Sequence, residues 1–198
     1  MNAFAHAPAR APQDDIAAQH WQGGPIRCGE CDYANLRALN DTQGCEPGYA
    51  CMQDVYARRI DRFFRWHPEL SDAQLNHAYF EVRAIAARRA SVFRLTALMD
   101  DPDETVRLQV ALRLPQAQLV RLARDAHREV RRVVAERLPV AMLPRLTRDT
   151  DWRVRWEVAQ RADAATLESM RDDEEPEVRQ TVQAHQARAV SALGETHG

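Results

Sequence analysis

All four cysteines of this 198-residue chain fall in one short stretch, as Cys28-Gly29-Glu30-Cys31 and then Cys45 and Cys51. A C-x2-C pair lets two thiolates reach one centre, because the turn between them aims backbone N–H groups at sulfur, and Gly29 is expected to ease that turn. Four soft thiolates with no second set select Zn2+ or an iron–sulfur cluster. Disulfides are the third option, and an expected cytoplasmic location weighs against them. Zinc ribbons repeat the C-x2-C knuckle and bacterial ferredoxins use C-x2-C-x2-C-x3-C; neither pattern is present. The wide intervals C-x13-C and C-x5-C lean toward a polynuclear centre and leave zinc open. Glu30 and Asp32 read as solvent-exposed rather than ligating. Trp21, Tyr33 and Tyr49 either shield the centre or form the core of a small domain.

Something must hold these cysteines in place. Directly after Cys51 the residues Val55, Tyr56, Ile60, Phe63 and Phe64 make an apolar helical face that Pro68 ends. That reading puts Cys51 at a helix N-terminus, where partial positive charge favours a thiolate. His67 and His77 read as helix-ending residues rather than metal ligands.

Beyond this helix the chain repeats itself. Val-Arg occurs at Val82-Arg83, Val106-Arg107, Val130-Arg131, Val154-Arg155 and Val178-Arg179, each pair 24 residues after the last. Such a period marks a stack of small units, here 71–94, 95–118, 119–142, 143–166 and 167–190, with degenerate ends. Leu95 and Leu98, Leu119 and Leu122, Leu143 and Leu146, and Leu167 and Met170 make i, i+3 apolar pairs on a short helix. Asp101, Asp125, Asp149 and Asp173 follow, where an Asp can cap the next helix. In Asp101-Pro102-Asp103-Glu104 this predicts Asp101 as N-cap, Pro at N1 and Glu at N3. Val106, Val110 and Leu114 then form one stripe, matched by Val130, Val134 and Leu138. One such unit buries too little to offset the entropy of ordering it, so neighbours must stack.

HEAT-like repeats share the Asp-then-Val-Arg pattern but run nearer 40 residues. The period of 24, with Leu-x-x-Leu-x-x-Asp and Val-Arg-x-x-Val-Ala-x-Arg-Leu, resembles the leucine-rich repeat variant. That resemblance implies an all-α, right-handed solenoid of alternating α- and 3₁₀-helices, preceded by a small four-cysteine domain. The combination with C-x2-C-x13-C-x5-C resembles the 4Fe-4S-binding members of that family, bacterial proteins associated with nitrogen-fixing organisms. It implies that Cys28, Cys31, Cys45 and Cys51 ligate one 4Fe-4S cluster.

The implied organisation is a tail over 1–22, a cluster domain with its following helix over 23–68, repeats over 69–190 and a second tail over 191–198. The repeat carries charge as well as apolar residues. All 27 basic residues are Arg and none is Lys, which removes Schiff-base chemistry and a phosphate-loop lysine. The formal charge of −2 excludes a uniformly basic nucleic-acid binder. The distribution is polarised: 119–161 holds 11 Arg against 6 acids, while 162–198 holds 3 against 8. The Val-Arg arginines and the preceding Asp residues are expected to form an inter-repeat ladder, because they recur with one period. Arg89, Arg113, Arg137 and Arg161 have fewer periodic acids nearby and are the candidates for a partner-facing row.

Several function classes drop out. No apolar run approaches the length of a membrane span, and residues 1–20 lack the apolar core of a secretory signal. Glycine is absent between Tyr49 and Leu193, and no hydrolase, zinc-protease or deaminase pattern occurs. The reading is therefore a non-enzymatic cluster-bearing scaffold, with a protein partner and a redox or sensor role. The alternative is a nucleic-acid-binding solenoid with a structural zinc or cluster, using the basic stretch 119–161 with Trp152 and Trp156. A catalytic iron–sulfur protein ranks last, since the four cysteines would account for every iron and leave no open site.

Overall fold

The computed structural model describes residues 16–38 and 44–195, without the side chains of 38 and 189–195. Most of the tail expected at 1–22 and the end of the tail expected at 191–198 lie outside the described residues. The described elements are helices, with no named strand among them. The chain divides into two compact units, 1–98 and 99–198.

The first unit begins with short 3₁₀ turns, Cys28–Glu30 and Ala34–Ala38, and then α1, Ala57–Trp66. Ile60, Phe63 and Phe64 of α1 are fully buried, as their i, i+3, i+4 spacing predicts. Two further 3₁₀ turns, Pro68–Leu70 and Asp72–Gln74, lead to α2, Phe80–Ala87, which packs against α1 and buries Val82 and Ile85. The 3₁₀-helix Val92–Leu98 ends the unit. Of the expected tail, residues 16–22 are laid against the segment after Cys51: Val55 N–H donates to the Gln19 carbonyl and Trp21 N–H to that of Gln53.

The second unit alternates longer α-helices with shorter segments. It runs α3 (Glu104–Arg113), α4 (Gln116–Leu119) continuing into a 3₁₀-helix (Val120–Arg124), α5 (Arg128–Arg137), a 3₁₀-helix (Val140–Leu146), α6 (Trp152–Arg161), α7 (Ala164–Ser169) and α8 (Pro176–Glu195). α3, α5, α6 and α8 pack side by side in that order as one layer. The 3₁₀ segments 120–124 and 140–146 touch each other and the α-helices, as the second layer. Val106, Val130, Val154 and Val178 are completely buried, as are Val110, Val134, Val158 and Val182. Ala111, Ala135 and Ala159 are also fully buried, where a larger side chain would push adjacent helices apart.

The expected Asp–Arg ladder is present. Arg107, Arg131 and Arg155 each reach one repeat forward to grip Asp125, Asp149 and Asp173 with two N–H groups, at 2.7–3.0 Å. The third arm of each arginine donates to the carbonyl of the Asp in its own repeat, Asp101, Asp125 or Asp149. The capping expectation needs correction. Asp101 accepts from Asp103 N–H and Asp125 from His127 N–H, two residues on, so these side chains close the turn ahead of the helix. The N-cap is two positions later: Asp103 accepts from Thr105 N–H and Asp151 from Arg153 N–H. The ladder Asp is thus held by a backbone N–H of its own repeat and by the arginine of the repeat before, which together fix its rotamer.

Candidate metal centre

The five residues between Cys45 and Cys51 fold back on themselves. Glu46 and Ala50 form an antiparallel bridge and exchange both backbone hydrogen bonds at 2.8 Å. Gly48 closes this turn at φ +80°, where an L side chain is strained. In an antiparallel pair the next residues outward, Cys45 and Cys51, face each other without hydrogen bonds and with side chains close and on one side. The C-x5-C interval therefore delivers two adjacent thiols.

The second pair comes from a different device. Cys28 opens a 3₁₀ turn and Cys31 closes it, with Cys31 N–H donating to the Cys28 carbonyl at 3.3 Å. Gly29 has no positive φ here and a Cβ on it would meet nothing, so the expected need for glycine in this turn is not found.

All four thiols line one small pocket, together with Ile26, Tyr33, Ala34, Arg37 and Gln53. They are free, Cys45 and Cys51 buried, Cys28 and Cys31 half-buried. Among the described residues no group of three His, Cys, Asp or Glu side chains is placed to hold a metal ion. The Cys51 thiol donates to the Cys45 sulfur, which holds Cys45 below the ordinary thiol range; that bond, with burial, keeps Cys51 protonated far above it. Burial pushes the Cys31 thiol up, against N–H contacts from Tyr33 and Gln53.

Sequence reading passed over the residues that hold this pocket. Asp54 and Arg59 form a fully buried ion pair at 3.0 Å. Asp54 also accepts from Tyr56 N–H, ahead of α1, while Arg59 donates to the Ala17 and Ile16 carbonyls. Cys51 N–H donates to the Arg59 carbonyl at 3.1 Å. One buried arginine thus ties the N-terminal segment, the Cys51 loop and α1 together. Its signal was an Arg one residue before Ile60 on an apolar helix, with an Asp five positions earlier. Gln53 Oε1 accepts from Trp21 Nε1 at 3.1 Å and lies 3.1 Å from His20 Nε2, which leaves its amide N–H groups for Cys31.

Other expected residues separate. α1 starts at Ala57, so Cys51 lies six residues before the helix and not at its N-terminus. Tyr33 reaches the pocket, whereas Trp21 stacks on Tyr79 and Tyr49 packs on Trp66 beneath the Arg62 guanidinium. Glu30 and Asp32 are exposed. Arg89 pairs with Asp61 at 2.9 Å. Arg137 donates to the Ala111 carbonyl, and Arg161 to those of Ala135 and Leu138, one repeat back in each case. Arg113, half-buried at the end of α3, also has a polar interaction.

Residues 18–73 match the family described as LRV protein FeS4 cluster, and 80–103 and 104–127 match leucine-rich repeat variant units. A solved structure described as a leucine-rich repeat variant with a novel repetitive structural motif aligns with TM-score 0.74 and 42% identity, over 79% of this chain and 66% of that one. The chain belongs to the leucine-rich repeat variant family, as a helical-repeat protein preceded by an iron–sulfur segment. A relative from Rhodobacter capsulatus, described as a 27.7 kDa protein in the nifB 3′ region, is 47% identical over 97 residues, covering 49% of this chain and 38% of the relative. The chain thus spans well under half of that relative's length. No described helix is long and apolar enough to cross a membrane.

Proposed function

We propose that Cys28, Cys31, Cys45 and Cys51 hold a single 4Fe-4S cluster, and that the repeats serve as a protein-binding scaffold whose partner reads that cluster's redox state. The observation that carries this reading is the convergence of two independently built cysteine pairs on one pocket. The donor set fits the group: four sulfurs and no competing carboxylate or imidazole on the lining, whose remaining residues are neutral or cationic. When bound, such a cluster supplies one-electron exchange and sensitivity to oxidants.

The chain's own residues would do the rest. Arg37 places positive charge beside the pocket, and the Gln53 amide donates toward the Cys31 sulfur. Both favour an anionic sulfur ligand set. Tyr33 and Ile26 limit water on the lining. A scaffold and not an enzyme is the reading best supported by a sequence without a recognisable catalytic constellation. The nifB-region description of the Rhodobacter relative supports a nitrogen-fixation setting.

Anaerobically purified protein analysed for iron, acid-labile sulfide and zinc tests the cofactor, and EPR before and after dithionite tests its redox role. The proposal expects iron and sulfide in equal amounts and a signal that changes on reduction. One zinc per chain without sulfide would overturn the cluster, and a redox-silent cluster would overturn the sensor role.

A further inference from the structure

The basic stretch 119–161 carries 11 arginines against 6 acids, and most of those arginines are spent inside the fold. Arg131 and Arg155 grip ladder aspartates. Arg128 and Arg132 lie among Glu129, Glu136, Asp151 and Glu157. Arg137 and Arg161 bind carbonyls, and Arg153 lies over the Trp152 ring at 4.7 Å.

Arg121, Arg124, Arg145 and Arg148 remain. All four are exposed; Arg121, Arg124 and Arg145 belong to the short-segment layer and Arg148 to the turn that follows it, Arg145 and Arg148 lying 24 residues after Arg121 and Arg124. Arg121 has one loose contact, 3.5 Å to the exposed Asp100. Arg124, Arg145 and Arg148 have no acidic partner among the described residues. The surplus charge of this stretch is therefore gathered on one face, two repeats long.

Three of these arginines line one groove with Val120 and Ala123, and the exposed Val140 and Met142 sit on the same 3₁₀-helix as Arg145. At the positions matching Arg124 and Arg148 the flanking repeats carry Asp100 and Asp172, which bound the patch at both ends.

We propose that this face docks an acidic segment of a partner protein, with carboxylates in the arginine forks and aliphatic side chains against Val120, Val140 and Met142. The proposal rests on the scaffold reading above and gives it a surface and a chemistry. Planar guanidinium forks match carboxylates two N–H groups at a time, and Arg and Met are enriched in protein interfaces. A single-stranded nucleic acid would need aromatic platforms, and the groove has none; the exposed indole of this unit, Trp156, belongs to α6 in the other layer. A duplex would need a basic track extending past Asp100 and Asp172.

The test is fluorescence anisotropy on the full chain with a fluorescein-labelled peptide of repeating Glu-Glu-Leu, beside labelled 20-mer single- and double-stranded DNA. The expected result is peptide binding that weakens about tenfold or more in Arg124→Glu/Arg145→Glu and less than about twofold in Arg153→Glu, with the thermal unfolding midpoint unchanged. Equal binding by the double variant, equal loss in Arg153→Glu, or capture of DNA in preference to the peptide would overturn it. Iron is measured on every sample. Iron-loaded protein that ignores the peptide sinks this surface alone, whereas iron-free protein that binds it sinks the cluster alone.

Discussion

Gly48 shapes the turn that brings one cysteine pair together. Its φ of +80° lets five residues turn back so that Cys45 meets Cys51. Gly48→Ala is expected to destabilise the protein by about 1–2 kcal/mol, since an L residue pays for that conformation, and to lower iron retention. Gly29→Ala should do neither, because its φ is ordinary and its surroundings open. Chemical denaturation with iron analysis of both variants checks the contrast. Arg59 gives a second case at this scale. Arg59→Met leaves the Asp54 carboxyl buried without its ion-pair partner and releases Ile16 and Ala17, so a loss of about 3–5 kcal/mol is expected in urea unfolding. The cysteine types and the C-x2-C turn were legible in sequence. Gly48 and Arg59 were not, because a positive φ and a buried ion pair depend on how distant segments meet.

At the scale of the element, the 24-residue lattice was readable because its apolar positions are buried in every copy, Val130, Val134 and Leu138 among them. What periodicity could not resolve was which side chain caps. Asp101 and Asp103 are both plausible in Asp-Pro-Asp-Glu, and only the backbone path shows Asp103 accepting from Thr105. Asp103→Ala should therefore cost about 1 kcal/mol through the lost cap. The ladder behaves differently. Arg131→Ala leaves the Asp149 carboxylate, only 5% exposed, without its bidentate partner, and should cost about 3 kcal/mol. The double variant Arg131→Met/Asp149→Leu should recover most of that loss. A thermodynamic cycle over the native protein, Arg131→Met, Asp149→Leu and the double variant measures it. Regular recurrence likewise could not separate arginines that reach back to carbonyls, such as Arg137 and Arg161, from arginines such as Arg124 and Arg145 that face solvent.

For the whole molecule, the ladder links stability to pH. Burial would raise the Asp125 and Asp173 carboxyls, but Arg107 and Arg155, with the backbone N–H groups of His127 and Glu175, outweigh it and hold both below the usual carboxylate range. Asp61 is held down in the same way by Arg65 and Arg89. A carboxyl with a lowered folded-state pKa contributes stability that is complete above its unfolded value, about 3.9, and is lost as pH falls toward the folded value. Unfolding midpoints should be flat from neutral pH to about 5 and fall steadily below about 4. Arg107→Met should shrink that acid-side slope, as Asp125 then returns toward its ordinary range.

Four cysteines serving one cluster is the claim on which the account turns. The most direct measurement is iron and sulfide per chain in the native protein and in Cys28→Ser, Cys31→Ser, Cys45→Ser and Cys51→Ser, all prepared anaerobically. The account predicts about four of each in the native protein and a marked loss in every variant. Full iron retention in any one variant, or zinc in place of iron throughout, would contradict it.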